Sequence, residues 1–129
     1  MDIKSLMIGD WVYDTLSKTN IKVNRGCFEI NPLNGICYAE NLIPIPLAKV
    51  HLTKNSFEAT NESDTEFVYG DGGFEVRVVF DEGLEVANIP PCIYLRIEFA
   101  EKELVMPIEY LHQLQQAMRI MGCDKEIEL

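Results

Sequence analysis

The chain has 129 residues, 47% of them apolar and 25% charged, and its mean hydropathy is near zero. That balance feeds one ordinary core or two very small ones packed together, and it excludes a disordered chain and a coiled coil. The formal net charge of −10 is unevenly placed: residues 1–54 carry six Lys and Arg against five Asp and Glu, residues 55–129 five against sixteen. The acidic part repels phosphate backbones, so no direct nucleic-acid binding is expected of it, whereas charge alone does not exclude the near-neutral part.

The opening MDIKSLMIGD lacks the basic start and continuous apolar stretch of a signal peptide. No run of about 18 apolar residues occurs that could span a bilayer. The expectation is a cytoplasmic protein without a membrane partner. Cys27, Cys37, Cys92 and Cys123 are scattered with no C-x-x-C pair, and His51 and His112 lie near none of them. Zinc ligands come in close pairs, so reduced, mostly buried thiols are expected and no metal is assigned. A Cys27–Cys37 pair across neighbouring strands is sterically conceivable.

In chain order, residues 8–45 read as short strands between turns. Trp11 and Tyr13 alternate with Val12, and Ile21 and Val23 with Lys22 and Asn24. A turn at Arg25-Gly26 leads to a strand at 27–30. Asn31-Pro32-Leu33-Asn34-Gly35 is a strong turn signal, and Ile36-Cys37-Tyr38 reads as the next strand. The pattern suggests an N-terminal strand-rich module over 1–44, an SH3-like barrel or half-barrel. The prolines of Ile43-Pro44-Ile45-Pro46-Leu47 give an extended connector before a short helix at about 47–54.

From 57 onward the pattern predicts antiparallel sheet. Strands at 65–69 and 74–80 flank Gly70-Asp71-Gly72-Gly73, a hairpin turn. Phe74, Val76, Val78 and Phe80 alternate with Glu75 and Arg77, and Ile93, Leu95, Ile97 and Phe99 with Tyr94, Arg96 and Glu98. A last strand is expected at 103–106, and Pro107 is read as opening a helix over about 108–121. Its stripe of Ile108, Leu111, Leu114, Met118 and Met121 is expected to pack on the apolar face of the sheet, with Gly122 ending it. The fold class is therefore α+β, mostly antiparallel, with residues 45–129 forming the sheet and its helices.

No constellation carries catalysis. The glycines at 70–73 precede a strand, whereas a phosphate loop needs a helix. His51 and His112 have no neighbouring Ser or Cys motif and read as surface histidines. Trp11, Tyr13 and Phe28 read either as an aromatic binding platform or as core, and core is favoured for Trp11. No catalytic residue, cofactor or metal is assigned.

Acidic turns offer one candidate site. If 65–69, 74–80, 84–88, 92–99 and 103–106 form a simple meander, Glu62, Asp64, Asp81, Glu82, Glu85, Glu101 and Glu103 gather along one rim. Such a rim attracts a basic partner or a hard cation; the plainer reading is that these turns confer solubility. The rim depends on 84–88 being a strand. Arg77 and Arg96 share the outer face with Glu75 and Glu98, where a charge ladder is expected in preference to an anion site.

LMIGDWVY (6–13), LIPIPLAKVHLTKNSF (42–57) and YLHQLQQAM (110–118) together resemble an uncharacterised family of small proteins from phages and mobile genetic elements of gut Bacteroidales. Its members open with an Ile-Gly-Asn/Asp aromatic strand. They continue through an E-P-I-P-L connector and a short helix ending in Gly-Phe, and close with a His-Gln/Glu-Leu-Gln helix. Here Leu42-Ile43 precede the first proline, Ser56-Phe57 stand for Gly-Phe, and Gln116-Ala117-Met118 replace the usual aromatic residues. The resemblance implies a source and an architecture and transfers no catalytic residue. The expectation is a non-enzymatic binding or adaptor protein with a protein partner or a second copy. The alternative is an acidic inhibitor or decoy that mimics nucleic acid before a host enzyme.

Overall fold

The computed structural model describes residues 6–129, so the start of the N-terminal module, residues 1–5, lies outside the described part. The chain divides into two units: residues up to Pro46 with Tyr110–His112, and Leu47–Glu109 with Gln113–Leu129.

The first unit is built on a three-stranded antiparallel sheet of order β2-β1-β3, with β1 at Trp11–Asp14, β2 at Thr19–Lys22 and β3 at Leu42–Pro44. Strand alternation turns Val12 and Asp14 inward and leaves Trp11 and Tyr13 half-buried on the other face. Core status therefore goes to Val12 rather than to Trp11. Leu6, Val23, Cys27, Cys37, Ala39 and Leu42 complete that core. The segments expected as strands at 27–30 and 36–38 differ. Arg25–Phe28 and Tyr38–Asn41 are 3-10 turns, joined by one bridge between Ile30 and Cys37. Gly26 and three polar residues among 24–29 leave no period-2 run long enough to hold a ladder.

The second unit is a five-stranded antiparallel sheet in sequence order. Its strands are β4 (Glu58–Ala59), β5 (Glu66–Asp71), β6 (Phe74–Asp81), β7 (Cys92–Phe99) and β8 (Lys102–Ile108). Gly72 and Gly73, at φ 58° and 89°, form the two-residue turn between β5 and β6. Positive φ at both positions matches the right-handed twist of the strands, and glycine takes it without strain. Phe67, Val76, Val78, Leu95 and Ile97 are fully buried on the inner face. Helix α1 spans Lys49–Lys54 and α2 spans Leu111–Ile120. The second helix packs on the sheet, burying Leu114, Ala117 and Met118. Among the described residues, no helix is long and apolar enough to cross a membrane.

Pro107 does not open α2; it lies inside β8, opposite Tyr94. Because β8 is an edge strand, a missing N–H costs nothing on its outer side. The strand expectation for 84–88 also fails: Glu85–Ala87 is a 3-10 turn closed by a bridge between Leu84 and Ile89. At Gly83 (φ 73°) a Cβ would lie 2.2 Å from the Ile89 carbonyl oxygen, so only glycine permits this closure.

Candidate functional site

The strand register fixes where the acidic turns lie. Chain reversal at 72–73 and at 100–101 puts those turns at one end of the five-stranded sheet; residues 60–65 and 82–91 lie at the other. Glu62, Asp64, Asp81, Glu82 and Glu85 therefore share an end. Glu101 and Glu103 sit at the opposite one, and the seven-residue rim is divided. The cause is the loss of a strand at 84–88, which reverses the direction of everything after it. Glu103 is also engaged, 3.4 Å from Arg96 Nε.

At the end that keeps five of the seven acids lies an open cavity of about 810 Å³. Its floor includes Phe80, Ile93 and Ile108, which stand side by side across β6, β7 and β8. Leu47, Pro91 and Pro107 add apolar wall, and Asp81, Glu82 and Glu109 form an acidic lip. Lys49 lines the same cavity with its ammonium 5.6 Å from the centre of the Phe80 ring. A cation over an aromatic face is favourable by the ring quadrupole, and the carboxylates of Asp81, Glu82 and Glu109 line the same cavity. Gln113, also on the lip, accepts the Glu109 N–H at 2.7 Å. Cys92 reaches this cavity half-buried, and the Tyr94 phenol is pushed up first by its hydrogen bond to that thiol.

On the outer face, Arg77 stands directly opposite Arg96, and Glu75 opposite Glu98. Like charges in register would repel, yet each arginine turns to carboxylates. Arg77 reaches Glu66 at 2.5 Å and Glu75 at 2.6 Å, and Arg96 reaches Glu98 at 2.6 Å. The arrangement is a charge ladder, as expected, and it occupies both guanidinium groups. An anion site between them would have to break these pairs.

Both histidines differ from the surface reading. His51 is half-buried, and its Nδ1 accepts the Ala48 N–H at 3.0 Å, closing the first turn of α1. Burial first, and Lys54 second, hold its pKa below 6.5. His112 is only 5% exposed, and its Nδ1 is buried with no hydrogen-bond partner. Its ring stacks on Tyr110 at 5.9 Å. Burial lowers its pKa, and Asp10 opposes that shift. The helical stripe alone placed His112 among polar positions, but α2 buries a wider face than the stripe, taking in Gln115 as well.

Sequence reasoning missed a polar hub in the first unit. Asp14, 1% exposed, accepts the Leu16 N–H at 3.0 Å, the Ser17 hydroxyl at 2.8 Å and the Tyr38 hydroxyl. The Tyr38 bond, helped by Ser17 and the backbone against burial, holds this carboxyl below its ordinary 3.8. The same bond pushes the Tyr38 phenol up. Asp14-x-x-Ser17 was a readable turn signal, but the link to Tyr38 spans 24 positions. Beside this hub, the turn at 31–35 is locked: Asn31 accepts the Leu33 N–H at 2.9 Å and Asn34 the Ile36 N–H at 2.8 Å. It displays Leu33 at 95% exposure.

All four cysteines are free. Cys37 Sγ donates to the Cys27 carbonyl at 3.0 Å, and no disulfide joins the two residues. Among the described residues no grouping of three or more His, Cys, Asp or Glu could hold a metal ion. No family model matches the chain, and comparison with curated proteins and with solved structures gives no match.

Proposed function

We propose that the protein is a non-enzymatic binding protein whose five-stranded unit docks a basic, amphipathic segment of a protein partner. The observation that carries this reading is the cavity with an apolar floor and a lip of Asp81, Glu82 and Glu109. Lys49, already seated over Phe80 beside that lip, occupies the place a partner's lysine would take. An apolar floor supplies affinity through burial, and the carboxylates supply orientation and a fast, salt-sensitive encounter. Exposed apolar positions near the C-terminal helix play little part, since of that helix only Ile120, at its end, is a large exposed hydrophobic.

The absence of enzymatic activity is part of the proposal. It is supported by the use of the His51 ring nitrogen in helix capping and by the burial of His112. The phage or mobile-element source implied by the resemblance remains part of it too. The acidic decoy is disfavoured, because Glu66, Glu75, Glu98 and Glu103 pair with arginine and the rim divides between two ends. A decoy would need its carboxylates unpaired and contiguous.

The test is fluorescence titration with a labelled peptide of alternating leucine and lysine at low and high salt. Binding is expected to weaken by about tenfold between ~0.05 and ~0.5 M salt, and Glu82→Lys is expected to abolish it. Binding that ignores both salt and the Glu82→Lys change would sink the proposal.

A further inference from the structure

Residues 123–129 form neither helix nor strand, yet Cys123 and Ile127 are buried. Two buried side-chain amides hold this tail. Asn55, following α1, donates to the Glu128 carbonyl at 2.8 Å and accepts the Glu128 N–H at 2.7 Å. Gln115, in α2, donates to the Lys125 carbonyl at 3.1 Å and accepts the Ile127 N–H at 2.7 Å. Both amides read main chain, which is how a groove recognises an extended peptide: backbone bonds supply affinity and a side-chain pocket supplies selectivity. Ile127, 1% exposed, fills the pocket. Arg119 stands 3.8 Å from Glu126, a charge match to the tail's acidic character.

We propose that the cleft between Asn55 and Gln115 is a peptide-binding site, covered in cis by residues 125–128, that accepts the same segment of a second copy of this chain. Every bond just described is identical whether the segment arrives from the same chain or from another. On its N-terminal side the segment is joined through Gly122, whose φ of 86° is a conformation glycine leaves and re-enters without strain. A segment tethered this closely acts at an effective concentration of about a millimolar. The cis arrangement therefore prevails in dilute solution, and exchange becomes visible only when cis seating is impaired.

Two full-length variants make the exchange one-directional. Ile127→Asp unseats its own tail and leaves the cleft intact; Asn55→Ala damages the cleft and leaves the tail intact. Each variant alone is expected to run as a monomer by light scattering. An equimolar mixture is expected to show a species of doubled mass. A mixture that stays monomeric, with both variants folded by circular dichroism, overturns the proposal. If either variant fails to fold, hydrogen exchange on the unaltered protein decides. The Ile127 and Glu128 amides are expected to exchange at least ~100-fold faster than those of Val78 and Leu95, through local release of the tail. Equal rates would mean that the tail leaves only when the whole unit unfolds, and the site would then be ordinary core.

Discussion

The three-stranded and five-stranded sheets satisfy the polar groups beside their cores by different means. In the five-stranded unit, ladders between strands of up to eight residues pair most of the backbone, so the buried row of the inner face, Phe67, Val76, Val78, Leu95 and Ile97, can be wholly apolar. In the three-stranded unit the strands have only three or four residues. A buried carboxylate takes over: Asp14 gathers a backbone N–H and two hydroxyls from the turn after β1 and from the 3-10 turn at 38–41. A sheet distributes its polar satisfaction over many equivalent bonds, whereas a hub concentrates it in one residue. The first tolerates substitution outside its apolar row, and the second fails at a single atom group.

The largest expected effect tests the apolar row. Phe67 is fully buried and meets Phe80 edge-on at 5.9 Å, so Phe67→Ala should cost about 4 kcal/mol. Urea denaturation followed by far-ultraviolet circular dichroism measures it. A cost below about 1 kcal/mol would show that the row is not what holds this unit.

Next comes the hub. Asp14→Ala orphans donors that the carboxylate now satisfies and should cost about 2 kcal/mol. Trp11, the sole tryptophan, lies in the same unit, so its fluorescence should report an earlier urea midpoint than circular dichroism does. Coincident midpoints would contradict the contrast between the units. The Asp14 carboxyl is lowered from 3.8, so its contribution is fully present above that pH and is lost as pH falls through the folded-state value.

A third test separates the histidines. Both have pKa values lowered below 6.5, so the unfolded chain binds protons more readily and stability should decline as pH falls below about 6.5. His112→Leu removes the orphaned nitrogen and should flatten that decline, leaving the part owed to His51. An unchanged slope of thermal midpoint against pH would assign the whole effect elsewhere.

The smallest effect belongs to the charge ladder. Arg96 is half exposed, so Arg96→Glu should cost no more than about 1 kcal/mol at low salt, and less as salt rises. A cost that is large and indifferent to salt would mean that Arg96 does more than pair with Glu98 and Glu103.

Legibility in the sequence followed the same division. Period-2 alternation marked β6 and β7, the Gly72-Gly73 reversal was plain, and the stripe of Leu111, Leu114 and Met118 placed α2. What escaped was carried by polar residues acting over distance. Asp14 and Tyr38 are 24 positions apart, and Asn55 and Glu128 are 73 apart. A single amide or carboxylate leaves no period to detect. Pro107 misled because a proline suits a first helical turn and an edge strand equally, and only sheet order distinguishes them. The acidic rim turned on one short segment: with 84–88 closed by Gly83 instead of extended, five acids stayed together and two moved away.

The position of Pro107 bears on whether the five-stranded sheet can recruit a further strand. Open sheets grow by recruiting strands to their unpaired edges, and long, flat, uncharged edges recruit best. Here one edge is the two-residue β4. The other is β8, which places Lys102 and Glu103 at one end and an imide nitrogen toward the other. A strand arriving along β8 meets charge first and then a position with no proton to offer. At high concentration, Pro107→Val should therefore turn a sheet that stops at five strands into one that can continue.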